Sequence, residues 1–142
     1  MGDPKLECEA LMNALLPFAL QMLERHAEFY PYGGALGQGG EFVPVSADEP
    51  GDHQLSEDLI ASVKRALAAG ARIHNYKAVG VVYDAKTALP ATGEQSDAIV
   101  ALLEHQNGYS IDVFFPYVLE GQSVVLGPPL ARQGTLAIFE MP

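Results

Sequence analysis

The sequence predicts a single α+β domain over residues 1–142: two layers, an antiparallel sheet of about five strands with two helices on one face, in the order α-β-β-α-β-β-β-β. Three observations carry this. Two segments repeat apolar residues at helical spacing, each along one stripe. Several Val-, Ile- and Tyr-rich runs are bounded by Gly, Pro or Asn. Asn107-Gly108 joins two such runs as a tight hairpin would. A chain of 142 residues with 49% hydrophobic and 18% charged residues can bury one core and is not disordered in character.

The first helix spans Lys5–Phe29. Leu11, Leu15, Phe18 and Met22 line one stripe, and Leu16, Leu20 and Leu23 widen it. Pro17 removes a backbone donor and crowds the carbonyl of Asn13, so a kink or two helices meeting near Leu16 is expected. Tyr30-Pro31-Tyr32-Gly33-Gly34 ends the helix. Gly33–Leu36 and Glu41–Ser46 then flank the glycine-rich reversal Gly37–Gly40 as a short hairpin. Ala47–Gln54 reads as an acidic loop. Ser56, Glu57 and Asp58 open a second helix with a stripe of Leu59, Ile60, Val63, Leu67 and Ala71, and Gly70 is the expected C-cap. Strands follow at Tyr76–Ala85, Asp97–Gln106 and Tyr109–Leu119. Gly127-Pro128-Pro129 interrupts the chain before a last strand at Gly134–Met141.

A two-residue Asn107-Gly108 turn would place His105 opposite Ser110, Glu104 opposite Ile111 and Leu103 opposite Asp112. Val100, Leu102, Ile111, Val113 and Phe115 then share the core face. The other face holds Ala101, Leu103, His105, Ser110, Asp112 and Phe114, more apolar than water demands. Ser110, His105 and Asp112 are nominally a nucleophile, a base and an orienting acid, with Glu104 beside them. No G-x-S-x-G elbow accompanies them and a flat strand pair offers no oxyanion donors, so the half-apolar face is read as a docking surface for a second subunit.

Eighteen Asp and Glu against eight Lys and Arg give a net charge of −10, which argues against nucleic acid and anionic membranes as partners. One cysteine, Cys8, allows no internal disulfide and reads as a small apolar helix residue. His26, His53, His74 and His105 show no H-x-x-x-H or H-x-H spacing, and Asp48, Glu49, Asp52 and His53 lack the EF-hand pattern, so neither metal nor cofactor is implied. The glycines of Gly33–Gly40 lack the Lys-Ser/Thr and the following helix of a phosphate loop. The N-terminus has the wrong charge for a signal peptide, and its interrupted apolar stretch falls short of the roughly 20 residues that span a bilayer. A cytoplasmic protein is expected.

Glu28-Phe29-Tyr30-Pro31-Tyr32-Gly33 forms a rigid aromatic corner. It either seals the core edge or forms one wall of a binding groove, with Tyr30, Tyr32, Tyr83 and Tyr117 as the candidate ligand-binding residues. With His26 added, this block resembles an H-x-E-F-[FY]-P-[FY]-G pattern of a family of small uncharacterised bacterial proteins. Val82-Tyr83-Asp84, Thr92-Gly93-Glu94, Asp97-Ala98-Ile99, Glu104-His105 and Phe115-Pro116-Tyr117 resemble that family's later pattern. The resemblance covers most of the chain and implies no activity. The functional expectation is therefore a non-catalytic binding or assembly domain acting as a homodimer. The alternatives are an acidic immunity- or inhibitor-type protein masking a basic partner, and a small enzyme using His105 and Asp112.

Overall fold

The computed structural model describes residues 3–46 and 56–140. Helix α1 (Pro4–His26) is followed by strands β1 (Tyr32–Leu36) and β2 (Phe42–Ser46) and helix α2 (Ser56–His74). Strands β3 (Ala78–Ala88), β4 (Gln95–His105), β5 (Ser110–Glu120), β6 (Ser123–Leu126) and β7 (Leu130–Gln133) complete the domain. The α+β class holds, with seven strands rather than about five, all antiparallel in one sheet of order β2-β1-β3-β4-β5-β6. The acidic loop Ala47–Gln54, with Asp48, Glu49, Asp52 and His53, lies outside the described residues.

β6 and β7 are two halves of one edge strand against β5. Their pairings, Tyr117 with Leu126 and Ile111 with Gln133, differ by one residue in register. Gly127-Pro128-Pro129 makes that bulge, because the two prolines have no N–H to give a ladder. Residues 134–140, expected as a last strand, are not strand.

The helices lie on opposite faces, which corrects the two-layer expectation. Cys8, Leu11, Leu15, Ala19 and Leu23 of α1 meet Ala78, Val82, Ile99, Ala101, Leu103, Val113 and Phe115. Val63, Leu67 and Ala68 of α2 meet Ala35, Val79 and Val81. Alternate residues of β3 therefore serve different helices, which is why its first five residues, Ala78–Val82, are buried throughout. The sheet is a shared middle layer where both helices reach it. α1 crosses where Gly34 of β1 pairs with Gly80 of β3. A Cβ on Gly80 would come within 2.9 Å of Leu15 and one on Gly34 within 3.0 Å, so glycines there let the helix seat closely.

α1 is one helix, not two, despite Pro17. By length and composition it could cross a bilayer, yet its buried stripe is packed on the sheet as a core helix. Tyr32 explains how the proline is tolerated. Its hydroxyl donates to the carbonyl of Leu15 at 2.6 Å and accepts from the N–H of Ala19 at 3.1 Å. An undisturbed helix would pair those two groups directly. Insertion of a side chain into the ladder beside a proline is a known accommodation, and here the inserted group supplies both bonds. The Tyr32 ring is fixed edge-on by Phe18 and Phe29 at 4.8 and 5.9 Å.

Gly70 does not cap α2, which runs on to His74 and closes at Asn75 in the left-handed region (φ 56°). The glycine is needed for space instead, since a Cβ there would lie 2.6 Å from the Tyr76 ring.

Candidate functional site

The Asn107-Gly108 reversal is real, but its loop is one residue longer than a two-residue turn. His105 N–H donates to the carbonyl of Tyr109, Gly108 N–H donates to that of His105, and Gly108 has φ 93°. This is a turn of Gln106-Asn107-Gly108 closed by a left-handed glycine. The ladder therefore pairs Glu104 with Ser110, Leu103 with Ile111 and Leu102 with Asp112. A one-residue slip moves every side chain of one strand to the other face. Ile99, Ala101, Leu103 and His105 join Ile111, Val113 and Phe115 under α1, and Glu104 joins Ser110 and Asp112 on the α2 side. The Ser110–His105–Asp112 constellation does not exist, because His105 is on the far side of the sheet from the other two.

Each member has a different duty. His105 is 2% exposed, accepts the Asn107 N–H at Nδ1 (3.1 Å) and so carries its proton on Nε2, which donates to Glu7 Oε1 at 2.9 Å. Glu7 also pairs with Lys77. These three side chains pin the start of α1 to the hairpin and to the chain leading into β3. Lys77 and then His105 hold the Glu7 carboxyl below its ordinary value of 4.5. A depressed carboxyl stabilises the fold above that value, and the contribution fades as pH falls from 4.5 through the lower folded-state value. Urea midpoints of the wild type should thus drop between neutral and acid pH more steeply than those of Glu7→Gln, which begins lower and loses less. Cys8, beside this trio, is buried, and burial raises its thiol to about 12, which makes it unreactive.

Glu104 is a clamp. Its Oε1 accepts the backbone N–H groups of Ala137, Ile138 and Phe139 at 3.1, 2.9 and 3.2 Å, and its Oε2 lies 3.0 Å from the Ile138 nitrogen. The last described residues are thereby held against the α2 side of the sheet, with Ile138 2% exposed among Val63, Leu67, Val79 and Val81. Asp112 faces Arg132 of β7 at 3.6 Å, and that guanidinium lies 4.7 Å over the Phe114 ring.

Of the four tyrosines, Tyr83 is set apart from the other three by the sheet. Tyr83 is on the α2 side, and Tyr32 is the splint in α1. Tyr117 is buried and its hydroxyl donates to Asp84 Oδ1 at 2.8 Å. Burial, then that bond, pushes the Tyr117 hydroxyl up; burial also raises Asp84, against the pull of the bond. Tyr30 is 64% exposed and stands over a cleft of about 490 Å³ with Met22, His26, Glu28, Phe29 and Asp84. His26, Glu28 and Asp84 were not among the candidates read from chemistry. The signal that could have found them is the co-occurrence of the His26–Gly33 and Val82–Asp84 blocks, which the fold brings to one place. His105 and Glu104 are absent from the cleft: Asp84 pairs with Ile99, six residues and about 20 Å along β4 from His105.

A second concavity, about 430 Å³ and almost wholly apolar, lies on the α2 side beside the β5–β6 edge, lined by Leu89, Pro90, Pro116, Val118, Pro128 and Leu130 among others. Val118 and Val125, paired across β5 and β6, are 60% and 42% exposed beside it. No family model matches the chain, and comparison with curated proteins and with solved structures finds no match.

Proposed function

We propose that this chain is a small non-catalytic binding domain that works as a homodimer in the cytoplasm, joined through the apolar end of its sheet at β5 and β6. The observation that carries the reading is the exposed pair Val118 and Val125 beside the groove of Pro116, Pro128 and Leu130. α2 packs on β1, β2 and β3, and the C-terminal segment packs near Leu102, so neither covers this end. Apolar surface left at an open edge strand is where chains associate. A two-fold axis beside β6 would pair two copies of it antiparallel and set the four valines side by side. Pro128 and Pro129 interrupt such pairing after Leu126. Of the half-apolar face that the sequence suggested for docking, Ala101, Leu103 and His105 are buried under α1, while Ser110, Asp112 and Phe114 lie on the α2 side, where the Val118–Val125 end continues.

Light scattering behind size exclusion at micromolar concentration should give the dimer mass for the wild type and the monomer mass for Val125→Lys, with unchanged melting of the monomeric fold. A wild-type monomer would overturn the reading.

A second reading is favoured by the charge of −10 and by the acidic lining of the Tyr30 cleft: a protein that engages a basic partner. The likeness to the small bacterial family belongs with these proposals, supported by the meeting of its two blocks at that cleft. Nothing favours an enzyme built on His105 and Asp112.

A further inference from the structure

We infer that the cleft of Met22, His26, Glu28, Phe29, Tyr30 and Asp84 is a binding site for an organic cation, the ammonium or guanidinium group of a ligand. It lies on the α1 side of the sheet, whereas the proposed dimer groove is on the α2 side, so neither depends on the other. Its walls supply what such a group needs: carboxylates from two elements, Glu28 after α1 and Asp84 on β3, an exposed phenol ring, and a thioether. Among the described residues no lysine or arginine lines it, and the ammonium on β3, Lys86, is bonded to Asp97 at 2.9 Å. Phe29 is buried and held edge-on against Tyr32, so that wall is fixed before any ligand arrives.

Asp84 is half-buried. The groups around it are Tyr117 from β5, Lys86 from its own strand, Asp97 from β4, and His26 and Glu28 across the cleft. Burial raises its carboxyl although the Tyr117 hydroxyl, Lys86 and the Ala85 N–H pull the other way, and an arriving cation would pull with them. The volume, about 490 Å³, exceeds what a bare ion fills, and among the described residues no three His, Cys, Asp or Glu are placed to hold a metal. The occupant is therefore an organic group inserted past the Tyr30 ring.

Amide and side-chain NMR titrations with N-acetylarginine amide and with butylammonium chloride test this, with inorganic phosphate as the anion control. Shifts should centre on Tyr30, Glu28 and Asp84 for the cations and be absent for phosphate. Asp84→Asn should weaken binding about tenfold, as loss of one charged hydrogen bond does. Tyr30→Ala, at an exposed position that leaves the fold intact, should weaken it about threefold. Glu24→Gln, an exposed acid of α1 outside the cleft, should change nothing. Preference for the arginine probe identifies a guanidinium as the occupant, and preference for butylammonium identifies an alkylammonium. Failure of both cations to shift these residues, or equal binding by all variants, overturns the assignment without touching the dimer.

Discussion

Glu104→Ala should destabilise the domain by about 3 kcal/mol, the scale for loss of charged hydrogen bonds with their buried donors left behind. The carboxylate is the acceptor for three successive backbone N–H groups, and the alanine leaves Ala137, Ile138 and Phe139 without it. The consequence is local before it is global. Amide exchange at Ile138 and Phe139 should rise to the rate of a frayed end, while the β3–β4 ladder stays protected. Glu104→Gln keeps one acceptor oxygen and should lose about half as much. Ile138→Ala alone should cost about 2–3 kcal/mol by emptying its hole among Val63, Leu67 and Val79. Combined with Glu104→Ala it should add little, because the segment has already left. Full additivity in that double variant would mean that Glu104 does not hold the segment in place.

Tyr32→Phe should cost about 2 kcal/mol, which is large for the loss of one oxygen atom. Phenylalanine keeps the ring contacts with Phe18 and Phe29 and removes the hydroxyl alone. Ala19 and Leu15 are 0% and 1% exposed, so their freed N–H and C=O find no water. The partner experiment is the Pro17→Ala background, where α1 can close its own ladder. There the same Tyr32→Phe change should cost less than about 1 kcal/mol, a coupling of the size that contacting residues show. Equal cost in both backgrounds would mean that the hydroxyl does not answer the proline.

The class of fold was legible because both helical stripes and the hairpin are local signals. Leu11, Leu15, Leu59, Val63 and Leu67 declare their burial by spacing alone. Which face of the sheet each helix takes is not local. It depends on Ala78–Val82, a run apolar on both sides, and such a run reads equally as one buried face or two. The hairpin failed for a narrower reason. Asn-Gly suits a two-residue turn and also the last two positions of a three-residue loop, and only the glycine's pairing geometry decides between them. That single residue moved His105 away from Ser110 and Asp112. The buried His105 and Glu104 and the half-buried Tyr32 looked like chemistry because they are polar. Their work is structural, and only the distant partners Glu7, Ala137 and Ala19 reveal it. The cleft of Tyr30 was half visible in an aromatic corner; Asp84, more than fifty residues later, could not be joined to it without the β1–β3 pairing.

Sedimentation at rising salt puts the proposed assembly to its most direct trial. Two copies carrying −10 each repel, and salt screens that repulsion while leaving burial of Val118 and Val125 intact. The dimer should therefore tighten from about 50 to 500 mM sodium chloride, within the range where the screening length falls below the size of the domain. A single monomer boundary throughout, or a dimer that dissolves as salt is added, would contradict association through an apolar sheet end.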